Sequence, residues 1–371
     1  MIKKSVFWCA TMALAALSQA SQAQILIGQT AGFTGPVSAG VKETLEGAKL
    51  YLDAVNAKGG VGGQAIELIS LDDKFDPKLA AENARQLMEE KGVSAMFLTR
   101  GTPHTEAIIP LLDKHGVALV GPSTGAMVMH QPVKQHVFNV RATYQREAEK
   151  AVTHLSSMGV KRIGIVYSDD SFGIDAMSGA QKGLAAASLK PVVLEKFDRA
   201  KPDFSPMAPK VFQSGAQAII IMAAGQAVTD SVKAFRAAGS AAQIVTLSNN
   251  ASGGFVKSMG DHARGMIVTQ VLPYERSIAY AMIKEAQTLA KAKGPTELSP
   301  AMLEGFAAAK VLVEGLRRAG AKPSREKSRL PLKACRNSTW GGLEVSYGPS
   351  DHTGLDFADL SIIGPDGKFK R

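Results

Sequence analysis

From Ile25 onward the chain alternates short apolar runs with longer segments whose apolar residues recur at helical spacing. Ile25 to Gln29 predicts a first strand, Val37 to Ala57 a helix that stops at Gly59-Gly60, Ala65 to Leu71 a strand and Pro77 to Glu90 a second helix. Val93 to Leu98 reads as strand, Thr105 to His115 as helix, Val117 to Val120 as strand, and Val137 to Arg141 closes this set. A second set follows. Glu147 to Met158 is helical, Arg162 to Tyr167 strand, and Phe172 to Ala187 helix. Val192 to Phe197, Ala218 to Met222, Ile244 to Leu247 and Gly265 to Val271 are strands with helices between them. Helices at Ser277 to Lys291 and Pro300 to Arg318 precede short strands at Leu343 to Tyr347 and Phe357 to Ile363. Such alternation predicts an α/β fold of parallel sheets covered on both faces, divided into two doubly wound lobes. In such sheets ligands bind outside the carboxyl ends of the strands. The loops there (residues 30–36, 99–105, 121–126, 168–173, 223–226 and 248–254) are rich in Gly, Ser, Thr and Asn, which suits a carboxylate ligand.

The first residues break the alternation. Lys3 and Lys4 precede an apolar run from Val6 to Leu17, too short to span a bilayer, and Ser21-Gln22-Ala23 offers small residues for cleavage after Ala23. Residues 1–23 therefore read as a secretory signal peptide, and the mature chain is expected in the periplasm. Trp8 before Cys9 argues against a lipoprotein anchor. Of the two cysteines only Cys335 remains after cleavage, so the mature chain holds no internal disulfide. The formal charge of +10 drops by two with Lys3 and Lys4. The remaining basic residues are dispersed among few aromatics, which fits a solvated surface and not a nucleic-acid interface.

Gly121-Pro122-Ser123-Thr124-Gly125 matches the nucleophile elbow of serine hydrolases and follows a strand. Pro122 restricts the turn, and Pro132 soon follows where a helix is required, so the hydrolase is the alternative reading. Gly59 to Gly63 ends a helix instead of opening one, which excludes a phosphate loop. The seven histidines have no metal-ligand spacing, and neither metal nor cofactor is expected. Asp72-Asp73 and Asp169-Asp170, at strand ends, suit helix capping. Phe33 and Phe172 lie in loops among Gly, Thr and Ser, with Tyr144 beside the predicted cleft, and aromatic rings among polar groups suit a small-ligand pocket.

The stretch from Ile25 to Glu90, with "GVALVGPSTGA", "VFNVRATY" and "RIGIVYSDDSFG", resembles the leucine/isoleucine/valine-binding family of ABC-transporter solute-binding proteins. The resemblance implies two Rossmann-like lobes joined by three crossing hinge strands, closing on a ligand in the cleft. It places lobe one at 24–140 plus 274–341 and lobe two at 141–273 plus 342–371. The crossings fall near Asn139 to Tyr144, Leu272 to Tyr274 and Gly341 to Glu344. It implies a non-enzymatic, monomeric receptor that delivers its ligand to an inner-membrane ABC permease; a ligand-sensing module for a signalling partner is a further alternative. By the same resemblance Thr102 and Ser123, with Thr124 and Gly125, hold a ligand carboxylate in lobe one. Phe172 closes over the ligand from lobe two, and Phe33, Gly225 and Asn249 complete the site. The family's second-lobe aromatic and acid are missing at Ala224-Gly225 and Asn249-Asn250, which favours a small carboxylate, including an aromatic one, over a branched-chain amino acid.

One window departs from both pattern and family. Ser328 to Trp340 places Pro331 inside an expected helix and carries basic residues but no acid. One choice of codons from Lys327, read one base earlier, gives "VALALEGMQKFDLGG", which has helical spacing and no proline. A reading-frame slip and a divergent surface loop are both open.

Overall fold

The computed structural model describes residues 24–294, 297–320, 332 and 342–371, together with the backbone of 338–340. The leader at 1–23 and most of the 328–340 window, Cys335 included, lie outside the described residues. In the first lobe β1 (Ile25–Ala31), α1 (Ser38–Asn56), β2 (Ile66–Asp72), α2 (Pro77–Glu89), β3 (Ala95–Phe97), α3 (Thr102–His115), β4 (Ala118–Val120) and β5 (Val137–Phe138) follow in order. Their sheet runs β2-β1-β3-β4-β5, all parallel. The second begins with α4 (Tyr144–Ser157), β6 (Ile163–Ser168), α5 (Ser171–Ala186), β7 (Val193–Phe197), α6 (Ala208–Gln213) and β8 (Ala218–Met222). It continues with α7 (Gln226–Ala237), β9 (Gln243–Thr246), α8 (Gly253–Met259) and β10 (Ile267–Gln270). Beyond come α9 (Ala281–Lys293), α10 (Pro300–Arg318), β11 (Ser338–Trp340), β12 (Leu343–Gly348), β13 (Asp351–Gly354), β14 (Asp359–Ile363) and β15 (Phe369–Lys370). The second sheet runs β7-β6-β8-β9-β10-β14-β15, with β14 and β15 antiparallel, and β11 to β13 form a small sheet of their own.

Each large sheet carries an apolar core on both faces. Ile27, Phe97 and Phe138 meet α1, α9 and α10 on one side of the first sheet, while Met96 and Leu119 meet α2 and α3 on the other. Ile219 and Val268 pack with Phe235 and Phe255 in the second lobe, and Ile165 and Ile220 with α4 and α5. The helix starts follow from local chemistry. Asp76, Thr143, Asp170, Ser252 and Ser299 each accept a backbone N–H from the first turn of the helix they precede, and Pro77 and Pro300 begin their helices where a missing N–H costs nothing.

Some boundaries differ from the sequence pattern. Helix α3 starts at Thr102, three residues early, because Gly101 takes φ of +91° and Pro103 fits the first turn. Helix α9 starts at Ala281, since the residues before it are tied in a turn from Ser277 N–H to Tyr274 O. The short elements α6, β13 and β15 have no clear periodicity. Leu343, Val345, Tyr347 and Leu355 share a core with Ile27 and Phe306, whereas β14 pairs in the second sheet. We therefore propose that the third passage between lobes lies between Leu355 and Asp359, later than the expected 341–344, and the other two near 140–144 and 270–272. The first and third passages meet where Leu355 N–H donates to Val140 O at 3.1 Å, and just ahead of them Tyr347 Oη donates to Asn139 O at 2.6 Å.

Candidate ligand cleft

The carboxyl ends of the two sheets face each other. The β1–α1 loop of one lobe meets the β8–α7 loop of the other, main chain against main chain: Gln226 N–H donates to Pro36 O at 3.0 Å. Gly225 makes this possible. Its φ is +56°, and a Cβ there would lie 2.0 Å from Pro36 O. Further out, Glu43 on α1 accepts from Gly253 and Gly254 N–H at the start of α8, at 3.0 and 2.6 Å. Met127 N–H donates to Asp175 at 3.2 Å, and Ser171 Oγ to Glu106.

Four buried charges lie inside. Arg100 follows β3 and is only 6% exposed. Its Nη1 donates to Ser123 Oγ at 3.0 Å, and its Nη2 crosses the cleft to Asn249 O at 2.5 Å. Ser123 Oγ in turn donates to Glu304 Oε1 at 2.7 Å. Arg141, on the first passage between lobes, pairs with Glu147 and donates to Ser248 Oγ at 2.7 Å. Its Nη1 lies 3.7 Å from Glu304, and its guanidinium sits over the Tyr144 ring. Glu147 also accepts from Ser248 N–H at 2.9 Å and from Thr269 Oγ1. The two arginines are held differently. Burial pulls against the charge of Arg141, but Tyr144, Glu147 and Glu304 outweigh it and hold the group above its ordinary value. Burial depresses Arg100, whose direct partners are a hydroxyl and a carbonyl. A desolvated guanidinium with only neutral acceptors is suited to an anionic partner.

A cavity of about 480 Å³ opens beside Arg100. It is lined by the start of α1 from Gly35 to Gly40 and, from the other lobe, by Gly225, Gln226, Asn249, Asn250, Ser252, Phe255 and Ser258. A second cavity, of about 220 Å³, lies across Pro36 and Gln226, where Arg199 covers Phe75 and reaches Phe172. Glu304 reaches this region because α10 and α1 approach backbone to backbone: a Cβ on Gly47 would lie 1.8 Å from Met302 O, and one on Gly305 1.8 Å from Thr44 O.

Two lobes of parallel sheet closing over a charged cleft accord with a match over residues 24–355 to the model of the periplasmic binding proteins. The chain belongs to that family. Among solved structures, this periplasmic binding protein is similar to a substrate-binding periplasmic protein from Ralstonia solanacearum (31% identity, TM-score 0.86, covering 93% of this chain and 99% of that one). It is also similar to a possible leucine/isoleucine/valine-binding protein from Rhodopirellula baltica (25% identity, TM-score 0.86, covering 94% and 97%). The Leu/Ile/Val-binding protein of Escherichia coli K12 is 21% identical over 77% of this chain and 78% of its own length. An amino acid binding protein of Pseudomonas aeruginosa is 22% identical over 59% of each chain. Among the described residues, no helix is long and apolar enough to cross a membrane.

The expected site residues of this periplasmic binding protein fall into two groups. Ser123, Asn249 and Gly225 are linked: Arg100 joins the first two, and Asn250 Oδ1 accepts the Gly225 N–H at 2.8 Å. Thr102 and Thr124 hold each other, hydroxyl to hydroxyl at 2.7 Å. Gly125 packs on the first passage, where its carbonyl accepts Tyr144 N–H at 2.7 Å. Phe172 sits edge-on to Tyr144, and Phe33 packs with Val37, Phe75 and Ala224. Thr102 and Ser123, expected to hold a ligand carboxylate, are buried. Asp170 caps α5, as its position suggested, and is held below the usual carboxylate range by Arg199 and backbone N–H groups despite burial. The elbow reading of Gly121 to Gly125 loses its ground, since the chain runs on into a 3₁₀ turn at Met127–Met129 and Ser123 is bonded to Glu304 and Arg100. Sequence reasoning missed Arg100, Arg141, Glu147 and Glu304. Glu304 had a signal, as the one acid in the apolar run from Pro300 to Ala309.

Proposed function

We propose that this protein is the solute-binding receptor of an ABC importer. It captures a small carboxylate-bearing molecule, an amino acid or a simple carboxylic acid, between its lobes and presents it to an inner-membrane permease. Arg100 carries the reading: a cation buried between the lobes, lining the larger inter-lobe cavity and partnered directly only by neutral groups. The similarity to the amino acid binding protein of P. aeruginosa and the Leu/Ile/Val-binding protein of E. coli supports an amino-acid-like ligand. Closure by the bonds from Pro36, Glu43 and Arg100 to the other lobe would give the permease a shape to read, with ligand shifting the open–closed equilibrium by its preference for the closed form. The signal peptide, with cleavage after Ala23, would deliver a monomer to the periplasm.

Calorimetry on the mature protein against amino acids and carboxylic acids tests the reading. A carboxylate should bind, and Arg100→Gln should weaken it by about 1.5–3 kcal/mol, the worth of a hydrogen bond to a charged group. Tight binding that ignores Arg100→Gln would overturn the assignment.

A further inference from the structure

We infer that the cleft selects carboxylates that carry no ammonium group, so that its ligand is a carboxylic acid with an uncharged body and not an α-amino acid. The inference rests on the carboxylate-receptor reading and names the ligand class of the same site.

The argument comes from what the cavity wall offers. Of the described residues lining the larger inter-lobe cavity, Arg100 is the one ionisable side chain. The rest are glycines, small apolar groups, Phe255, and the neutral polar side chains of Ser38, Gln226, Asn249, Asn250, Ser252 and Ser258. An ammonium there would meet a guanidinium and no carboxylate, which is unfavourable for a desolvated cation.

Among the described residues two acids come near, and both are engaged behind the wall. Glu304 accepts from Ser123 at 2.7 Å and faces Arg141 at 3.7 Å, so its charge is shared with a second guanidinium. Glu43 accepts from Gly253 and Gly254 N–H and from Ser299 Oγ at 2.7 Å, holding the two lobes together. Turning either toward a ligand ammonium would leave these donors unpaired.

The backbone points the same way. The cavity lies at the first turns of α1 (Ser38, Ala39 and Gly40) and α7 (Gly225 and Gln226), two long helices whose N-terminal ends favour negative charge. Arg100 and two helix starts thus present positive potential from both lobes.

The test uses matched probes that differ only at the α-carbon: leucine, 4-methyl-2-oxopentanoate and 4-methylpentanoate, then phenylalanine, phenylpyruvate and 3-phenylpropionate. Each is titrated calorimetrically into the mature protein. The ammonium-free members should bind at least tenfold tighter than the amino acid in whichever set binds. Ser38→Asp, which places a carboxylate on the wall in the first turn of α1, should shrink that preference. An amino acid binding as tightly as its oxo acid overturns the selectivity and leaves the receptor reading standing. No binding by any probe, with a neutral sugar or amide binding instead, overturns both.

Discussion

Replacing Ser123 with alanine removes one hydroxyl from between two buried charges. The oxygen accepts from Arg100 at 3.0 Å and donates to Glu304 at 2.7 Å, and it is 2% exposed, so no water readily takes its place. Each hydrogen bond to a charged group is worth about 1.5–3 kcal/mol. Two such bonds are lost, so a loss of about 3–6 kcal/mol follows. It falls on the first lobe, where β3, β4 and α10 share the affected groups. Thr102→Ala is the control, since Thr102 and Thr124 form a neutral pair worth about 1 kcal/mol. Urea unfolding of the mature protein without ligand, followed by circular dichroism, should show Ser123→Ala at least twice as costly as Thr102→Ala. An equal or smaller loss for Ser123→Ala would refute the Arg100–Ser123–Glu304 relay as a stabilising element.

Further outcomes follow from other features. Gly40→Leu should abolish ligand binding in calorimetry without lowering the melting temperature, since a Cβ there meets nothing closer than 3.7 Å and the side chain grows into the cavity; retained affinity would place the ligand elsewhere. Glu43→Gln should shift small-angle scattering of the liganded protein toward a larger radius of gyration, because a neutral amide caps the start of α8 less well than a carboxylate; an unchanged profile would remove Glu43 from closure. His104 and His130 are each pushed down to about 4 by burial, so the unfolded chain binds more protons than the folded one between about 4 and 6.5, and stability should rise with pH across that window. Burial raises Asp73 to about 6, which opposes this between about 4 and 6; Asp73→Asn should therefore steepen the rise seen in pH-dependent urea titrations, and a flat profile in the parent protein would contradict the histidine contribution. Resequencing the gene across codons 325–343 should reveal codons that yield a helical segment in a neighbouring frame; codons that cannot would establish Ser328 to Trp340 as native sequence.

Much of the fold was legible because a doubly wound sheet writes itself into the chain at two periods. Apolar runs such as Ala218 to Met222, buried throughout, mark strands, and Asp170 marks a helix start through its capping chemistry. The site was less legible. The strand-end loops could be named in advance, and Ser123, Gly225 and Asn249 were among them. Arg100 lay in a named loop but passed as a surface charge, because nothing local says that Asn249 will arrive across the cleft to bury it. Glu304 is harder still, since it reaches Ser123 only through the Gly47–Gly305 approach of two helices distant in sequence. Short elements such as β15 depend on pairing with β14 and have too few residues for any periodicity.

Under the proposed lobe closure, the contact of Gly225 and Gln226 with Pro36 sets how far the lobes can travel. Main chain meets main chain with no side chain between them, so the final spacing is a hard stop and not a compressible cushion. A receptor built this way gauges its cargo. A molecule small enough lets the stop engage and gains the Gln226 to Pro36 bond, while one slightly too large holds the lobes apart and forfeits that bond together with its neighbours at Glu43 and Arg100. Affinity should then fall in a step with ligand length, like a part that does or does not pass a calliper, and substitutions around the cleft would retune which chemistry is accepted more readily than which size.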